Sequence, residues 1–389
     1  MLESLPHHVL HALSMAFAML WEILWALILG FGLSGGVQAV ASKKEVSRLL
    51  PDDSTRSLAI ACGLGAASSS CSYAAVALAR SLFRKGASFT ASISFEVAST
   101  NLVAELGIIL AILIGWQFTL AEFAGGVLLV IILALLFRWF LSSKQVEAAR
   151  RQADKGLQGK MEGHAEMDMS VSGGSLWQRI FSAKGWTAIS HYFVMDWLAV
   201  WKDVVLGLLV AGALGAWIPQ TLWNCFFLVK HPLLAKLWGP AVGPVVAILS
   251  FVCSVGNVPL AAVLWNGGSS FGGVIAFLYA DLIVLPILDI YRKYYGMKMS
   301  LFLLGTLYAA MASTAIAIEF LFQALHLIPA ERHARMAEAS IRWNYTTVLN
   351  VVFAAVAALL VWRFFTTGGP KMIAGMDKPG PQRHSAHAH

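Results

Sequence analysis

The sequence predicts an all-α, polytopic helical membrane protein built from two pseudo-symmetric, inverted repeats with re-entrant or broken helices. The first observation is composition: 58% of the 389 residues are hydrophobic and 13% are charged, whereas soluble domains carry roughly 25% charged residues. The second is length, because several apolar tracts exceed the ~20 residues that span a hydrocarbon core. The third is an internal resemblance between two tracts 182 residues apart. Helices are expected because lipid leaves backbone polar groups no partner outside the segment.

The candidate spans are apolar stretches that end at polar or charged residues. They cover residues 12–40, 57–80, 87–114, 119–141, 201–217, 240–264, 268–290, 298–324 and 344–365. The run between residues 142 and 185 is polar, charged and rich in Gly and Ser, which is typical of a soluble loop. The N-terminus lacks a positive leader and a small-residue cleavage site, so we expect no removed signal peptide.

These boundaries predict five regions. They are a first membrane repeat (1–141), a polar cytoplasmic linker (142–185), a second membrane repeat (186–325), a region with one additional C-terminal transmembrane helix (326–365) and a disordered tail (366–389).

The repeat is visible as an ungapped alignment. Shifting residues 71–106 by 182 positions gives 13 identities in 36 pairs, among them Cys71 with Cys253 and Gly86 with Gly268. Apolar composition inflates such matches, but the co-alignment of Cys-Ser, Gly and spaced Phe favours a true duplication.

Loop charges predict the topology. The loops 41–57 and 80–85 are both basic, so the positive-inside bias makes both cytoplasmic. The segment 57–80 would then enter and leave on one side as a re-entrant hairpin, and its counterpart 240–264 would open to the opposite face. This topology places the basic loop 331–342 outside, against the bias. The alternative is that all nine segments cross the membrane.

A polar cluster interrupts the first hairpin and recurs in the second. Ser70, Cys71 and Ser72 align with the region of Cys253 and Ser254, and Gly256, Asn257 and Pro259 follow as a helix breaker. Small residues of this kind also serve simply to pack helices closely. Two thiols at a pseudo-symmetric centre would instead form a soft site for thiophilic cations or metalloids. The candidate substrate-binding residues are Cys71, Ser70, Ser72, Cys253, Ser254, Asn257 and Asn101.

Ionisable side chains within the spans are functional candidates because a charge at bilayer depth is costly. Glu96, Glu105 and Asp281 are the candidate ion- or proton-coupling residues. Glu105 is expected to share a helix face with Asn101, four residues away. Pro286 should kink or break its helix. Asp289, close to Arg292 and Lys293, is expected to form structural ion pairs instead.

Two further features lie outside these clusters. Met161, His164, Met167 and Met169 are close together in the linker, and thioether and imidazole ligands suit Cu(I) and related soft ions. Such tracts also occur in disordered loops without consequence. The stretch HYFVMDWLAVWKD, which precedes the fifth span, is typical of a helix lying in the membrane interface, anchored by Trp197 and Trp201.

Enzyme motifs are missing from the sequence. It contains no GxSxG elbow, no phosphate-binding glycine loop and no HExxH, so we expect neither an enzyme nor a cofactor. The net charge of +7 fits the positive-inside bias, and no nucleic-acid partner is expected. The expected partners are the lipid bilayer and a small-molecule or metalloid substrate, and a homo-oligomer is left open.

The two Cys-Ser blocks and their flanks carry a family resemblance. The stretches CSYAAVALARSLFRKGASFTASISFEVASTNLVAELGI and FVCSVGNVPLAAVLWNGGSSFGGVIAFLYADLIVLPILDIYRKYYG, with HYFVMDWLAVWKD between them, resemble the predicted-permease family of YraQ-like proteins and ArsP organoarsenical efflux permeases. The resemblance covers most of residues 12–325. It implies an integral-membrane permease in which Cys71 and Cys253 are the thiol positions. Many members carry a CxC pair and Val-Pro in their repeats; here the first block has Ser70-Cys71 and Ala77, which makes a three-coordinate arsenic site harder to build.

These features together predict a bacterial inner-membrane permease. It would move a small solute through a Cys/Ser-lined midplane site with ion or proton coupling, and export of a soft metal, metalloid or organoarsenical species is the specific hypothesis. One alternative is a non-transporting scaffold or partner of a metal or redox system, docked through the linker. Another is a channel-like permease for a small neutral or anionic solute.

Overall fold

The computed structural model describes residues 4–40, 49–68, 72–153, 169, 171, 176–217, 219–250, 254–332, 334 and 345–376. Over these residues the chain is helical and contains no strand. The helices are α1 (Ser4–Val40), α2 (Thr55–Ser68), α3 (Ser72–Arg84), α4 (Phe89–Asn101), α5 (Ala104–Leu113), α6 (Trp116–Phe140), α7 (Ser143–Ala153), α8 (Leu176–Phe181), α9 (Ala183–Trp217), α10 (Gln220–Phe226), α11 (Pro232–Ser250), α12 (Ser254–Asn266), α13 (Phe271–Tyr279), α14 (Leu285–Tyr295), α15 (Met297–Ala324), α16 (Tyr345–Thr366) and α17 (Gly369–Met376).

Several of these helices are membrane-spanning by length and composition. Among the described residues, five segments are long and apolar enough to cross a bilayer, and two bent helix pairs raise the number to seven. The five are Phe89–Leu113, Trp116–Phe140, Pro232–Leu249, Met297–Ala324 and Thr346–Thr366. The chain is therefore a polytopic helical membrane protein, as its composition predicts.

The α2–α3 segment enters and leaves at one end of α4. Ser88 N donates to Leu50 O over 2.9 Å, which joins the residues that precede α2 to those that follow α3. Gly65 of α2 packs against Phe95 O and Ala98 of α4, so α2 runs parallel to α4. The short turn after Arg84 then makes α3 antiparallel to both. The segment 57–80 therefore has the geometry of a re-entrant hairpin.

The α11–α12 segment has the same geometry relative to α13. Gly239 packs against Ser270 at the start of α13, and Gly243 packs against Ala276 one turn further along. Helix α11 therefore runs parallel to α13, and α12 returns through the turn after Asn266. Although α11 is long enough to span a bilayer, the chain comes back to the face from which α11 departs.

The two hairpins open at opposite ends of the helix bundle. Helix α6 begins beside α13, where the Phe118 and Phe271 rings are 4.6 Å apart, and it ends beside the start of α4, where Phe137 and Phe89 are 5.9 Å apart. Since α6 is long and apolar enough to cross a bilayer, the starts of α4 and α13 lie at opposite ends of a membrane-length helix. The first hairpin shares its face with Arg56, Arg84, Lys85, Arg292 and Lys293, which we call the basic face.

The helix boundaries of the two halves correspond under the 182-residue shift. Helix α3 maps onto α12 without an offset, and α4 maps onto α13 plus the 3-10 turn Ala280–Ile283. The turn glycines Gly86 and Gly268 have φ values of +108° and +107°, a left-handed conformation that glycine adopts readily. Ser88 and Ser270, the equivalent N-caps, each accept a hydrogen bond from the backbone N–H three residues on.

Helices α1, α9 and α16 pack beside this bundle. Close approach of α1 and α9 depends on glycine at both ends, because Gly212 packs on Ala12 and Gly35 packs on Ile189. This places the two helices antiparallel. The stretch 191–203, expected to lie in the membrane interface, is instead part of the continuous helix α9. The prediction was wrong because Tyr192 and Phe193, each 1% exposed, pack into the core rather than facing lipid.

Candidate functional site

The candidate site lies where the first hairpin meets the second half. Residues 69–71 and 251–253, and with them Ser70, Cys71 and Cys253, lie outside the described residues, as does the side chain of Ser254. The residue that follows Cys71 is described. Ser72, the first residue of α3, donates from Oγ to Asp281 Oδ2 over 2.7 Å, and both side chains are fully buried. A substrate-binding candidate from one half thus contacts a coupling candidate from the other.

A second contact between the halves involves Glu96. Its carboxylate accepts a hydrogen bond from the Tyr291 hydroxyl of α14, and both side chains are completely buried. Its other oxygen, Oε2, has no hydrogen-bond partner among the described residues. Asp281 lies within electrostatic range of Glu96. Two of the three carboxylates that the sequence singles out therefore occupy one buried region.

A third carboxylate in this region was missed by the sequence analysis. Glu122 of α6 is fully buried, and neither of its side-chain oxygens has a hydrogen-bond partner among the described residues. It too lies within electrostatic range of Asp281. A lone acidic residue inside the otherwise apolar run TLAEFAGGVLLV was a signal of the same kind as Glu96. The same argument would have made Glu122 a coupling candidate.

Two of the predicted substrate-binding residues are buried amides. Asn101, at the end of α4, and Asn257, in the first turn of α12, are both completely buried, and neither amide group has a hydrogen-bond partner among the described residues. A buried amide without a partner costs ~1–3 kcal/mol. Polar groups are tolerated at membrane depth where they line a water-filled or substrate-filled space. Asn101 and Asn257 therefore remain candidates for lining such a space.

Both broken helices lie next to these residues. The chain leaves the α-helix at Leu102 and Val103 in the first half and at Val284 in the second, where the two arms meet at 41°. Pro286 stands in the first turn of α14, where a missing N–H is tolerated, as expected from its position in the sequence. Asp289 pairs with Arg292 and Lys293 at 2.7 Å each, which confirms its structural role.

Glu105 does not share a helix face with Asn101. Because the helix ends at Asn101 and restarts at Ala104, the 3.6-residue period does not carry across the break. The expectation that Asn101 and Glu105 share a helix face was therefore wrong. A Cβ at Gly30 of α1 would lie 2.0 Å from Glu105 Oε2, so this carboxylate packs on α1.

The linker candidates are mostly outside the described residues. Met161, His164 and Met167 fall there. Met169 is described: its backbone N donates to the Tyr192 hydroxyl over 3.0 Å, and its side chain packs on the hydrophobic core. Within the described parts of the chain, no group of three His, Cys, Asp or Glu side chains could hold a metal ion, and Cys62 and Cys225 are free thiols.

Comparison with known proteins identifies the family. A family model described as predicted permease (ArsP_1) matches residues 8–320. The chain belongs to the predicted-permease family. It is also 60% identical over 338 residues to "Putative permease Rv2963" of Mycobacterium tuberculosis, an alignment that covers 87% of this chain and 83% of the relative. No solved structure matches the chain. The permease is thus an integral membrane protein, and its family indicates a transporter rather than an enzyme.

Proposed function

We propose that this permease exports a soft metal or metalloid species, such as a trivalent organoarsenical, across the bacterial inner membrane. The substrate would pass between the tips of the two hairpins, where Cys71 and Cys253 supply thiolate ligands. Soft thiophilic species favour such ligands. The carboxylates Glu96 and Asp281 would couple the movement to protons.

The hydrogen bond from Ser72 to Asp281 carries this proposal. It joins the residue after Cys71, at the tip of one hairpin, to the broken helix of the other half over 2.7 Å. Proximity of a thiol region to a buried carboxylate allows exchange chemistry, because a proton can be taken up by one group as the substrate leaves the other. Nothing in such a cycle requires a nucleotide.

An inverted repeat would supply the mechanism of movement. The matching helix boundaries, the equivalent turn glycines and the opposite faces of the two hairpins all support it. In transporters of this architecture, substrate binds near the bilayer midplane where broken helices meet, and rocking of the halves opens the site to alternate faces. The basic face would be cytoplasmic by the positive-inside bias.

A growth screen tests the proposal. Cells expressing the permease are challenged with trivalent arsenicals, antimonite, copper, silver and mercury, and uptake is measured for any species against which the permease protects. Cys71→Ser and Cys253→Ser should each abolish protection while the protein remains at its normal level in the membrane. Cys62→Ser is the matched control, because Cys62 lies in the middle of α2 rather than at a hairpin tip, and it should protect like the wild type. Full protection by both tip variants would eliminate thiol capture.

A further inference from the structure

We infer that Tyr291 and Tyr295, with Arg80 beside their outer end, form a polar path by which a proton on Glu96 reaches the basic face. The inference rests on the proposed function, since it assumes that Glu96 carries a coupling proton. It adds the side of the membrane with which that proton is exchanged and the residues that conduct it.

The path begins at the buried Glu96 carboxylate. Tyr291 donates its hydroxyl to Oε1, and Oε2 has no partner among the described residues. The carboxyl group can therefore hold a proton on Oε2 without losing its bond to tyrosine. Neighbouring titratable groups are Asp281, within range of Glu96, and Glu122, within range of Asp281. Among the described residues, no lysine or arginine forms a salt bridge with Glu96.

Tyr295 is the next group along α14. It stands one helical turn beyond Tyr291, on the same face, and the two rings are stacked with centroids 6.3 Å apart. Tyr295 is 3% exposed, yet its hydroxyl has no hydrogen-bond partner among the described residues. Glu96 and Arg80 both lie within electrostatic range of this hydroxyl. A buried hydroxyl that makes no bond of its own, within electrostatic range of both a carboxylate and a guanidinium, can accept a proton on one side and donate one on the other.

Arg80 stands at the end of the path. Its guanidinium lies 4.3 Å from the centre of the Tyr294 ring and donates to Ala153 O of α7 over 2.7 Å. Helix α7 follows α6 at the basic face and is amphipathic, with an exposed side that carries Arg151 and Glu147. Arg80 is itself only 3% exposed and is always protonated, so it takes up no proton; its bond to α7 marks where the path ends, beneath the helix whose other side is exposed at the basic face.

The positions related to these three residues by the internal repeat offer no such path. Under the 182-residue shift, Tyr291 corresponds to Ile109, Tyr295 to Leu113 and Arg80 to Ala262. All three equivalents are buried and apolar. The two sets of equivalent positions therefore differ. The set near the basic face has hydroxyls and a guanidinium, whereas the set near the opposite face has only hydrocarbon side chains. This asymmetry favours proton exchange with one side.

The proton balance is simple. Once the Glu96 carboxyl group presents its proton to the Tyr291 oxygen, Tyr291 passes its own hydroxyl proton outward to Tyr295, and Tyr295 passes its own to water. Each tyrosine accepts one proton and donates another, so each ends unchanged. The proton leaves as hydronium or is taken by buffer at the basic face, and Glu96 remains as a carboxylate ready to be reloaded during transport.

Infrared spectroscopy of the full-length permease in lipid bilayers tests the path. The carbonyl band of protonated Glu96 is assigned by its loss in Glu96→Gln, and its rate of downshift is followed after a change from H₂O to D₂O. Tyr295→Phe should slow this exchange at least about tenfold, a barrier increase of about 1.4 kcal/mol. Tyr308→Phe is the control, since the Tyr308 hydroxyl bonds to Ala241 O, and it should exchange like the wild type.

A second measurement establishes the side. In oriented proteoliposomes, acidifying only the outer medium should raise the Glu96 band faster when the basic face points outward. Equal exchange rates in wild type and Tyr295→Phe, or equal responses in the two orientations, would overturn the path while leaving metalloid export intact. If no band of protonated Glu96 appears at any pH, both the path and the coupling role of Glu96 are wrong, whereas thiol capture is tested separately by the growth screen.

Discussion

At the scale of single residues, glycine determines how closely the first hairpin packs on α4. A Cβ at Gly65 would lie 2.5 Å from Phe95 O, whereas a Cβ at Gly63 in the same helix would meet nothing within 4 Å. The α2–α4 contact therefore depends on one glycine and is indifferent to the other.

This difference gives a matched pair of variants. Gly65→Ala should lower the melting temperature of the detergent-purified permease, because backbone of α4 must shift to admit the methyl group. Gly63→Ala should leave it unchanged or raise it, since alanine is favoured over glycine in a helix by roughly 0.8–1 kcal/mol. The monodisperse fraction after heating, measured by size-exclusion chromatography, reports both. Equal melting temperatures would show that α2 packs differently.

The buried carboxylates are the second feature at this scale. Asp281→Asn keeps an oxygen for the Ser72 hydroxyl but cannot carry a proton, and Glu122→Gln makes the same change next to it. If these groups couple transport to protons, initial transport rates of either variant should lose their dependence on an imposed pH gradient. Asp289→Asn is the control, because Asp289 is half-exposed and engaged with Arg292 and Lys293. A variant that responds to the gradient like the wild type would remove that residue from the coupling mechanism.

Asp52, outside the membrane-spanning helices, predicts a pH effect on stability. Hydrogen bonds from the Ser57 and Ser54 hydroxyls, at 2.6 and 2.7 Å, hold the pKa of this carboxyl below its usual value of 3.8. A lowered pKa in the folded state stabilises the protein above the unfolded-state value, and the contribution disappears as the pH falls through the folded value.

The expected result is a small difference that depends on pH. Asp52→Asn should melt below the wild type near neutral pH, and the two should converge well below pH 3.8. Because Asp52 is fully exposed, high salt should reduce the difference. A gap between the two melting curves that stays constant down to the acid end would contradict this assignment.

At the scale of helices, two arginines fasten the hairpins at equivalent places. Arg150 of α7 donates to Phe83 O and Ala87 O at 2.6 and 3.2 Å and lies 4.0 Å from the centre of the Phe83 ring. Arg332 does the same to Trp265 O and Ser269 O at 3.0 and 2.6 Å and lies over the Trp265 ring. Each guanidinium caps the last carbonyls of a hairpin helix.

The Arg332 contact also explains an anomaly in the loop charges. A basic loop on the face opposite the basic face runs against the positive-inside bias. Arg332 nevertheless lies there, because its guanidinium donates a hydrogen bond that holds the turn between α12 and α13. Loop charge alone could not distinguish a topological signal from a structural contact.

Two neighbouring arginines in α7 distinguish the effect of the Arg150 hydrogen bonds from the effect of surface charge. Arg150→Gln should destabilise the permease by roughly 1.5–3 kcal/mol, the typical contribution of hydrogen bonds to a charged group. Arg151→Gln should change stability little, since Arg151 is exposed and its 3.9 Å ion pair with Glu147 is screened by solvent. Thermal melting of the two variants provides the comparison. An equal loss in both would mean that α7 is not fastened through Arg150.

At the scale of the whole molecule, the beginning of the linker ties the two halves together. Arg80 of the first hairpin donates to Ala153 O, and Gln152 donates to Lys293 O at the end of α14 over 3.1 Å. Helix α7 is thus an integral part of the membrane domain, although its composition is that of a soluble loop. The contacts within 142–153 are structural, and only the residues beyond are candidates for docking.

Two deletions test this division of the linker. Removing residues 154–168 should preserve most transport and membrane expression, because the contacts that fasten α7 to the membrane helices lie at or before Ala153. Removing 145–153 should lose both, since the Arg150 and Gln152 contacts disappear. The opposite outcome would be that residues 154–168 are essential for function and that the wild type shows no transport. The permease would then act as a docking partner rather than a transporter.

The sequence by itself determined the membrane class, the positions of most of the apolar helices and the register of the internal resemblance. Hydrophobicity fixes which stretches can lie in lipid, and lipid requires them to be helical. The two basic loops flanking 57–80 even indicated a hairpin. Glu96 and Asp281 were identifiable because ionisable groups within apolar runs are rare and costly.

Only the tertiary structure decided which of these residues meet. Ser72 and Asp281 are 209 residues apart, and no periodicity relates them. Because the helix breaks at Leu102 and Val103, Glu105 faces α1. The sequence pattern assumed a continuous helix and therefore could not predict this orientation. Glu122 is a candidate because it lies near Asp281, and Tyr295 is a candidate because it lies near Glu96 and Arg80. Such pairings arise from the packing of crossed and broken helices, which depends on contacts distant in sequence rather than on local pattern.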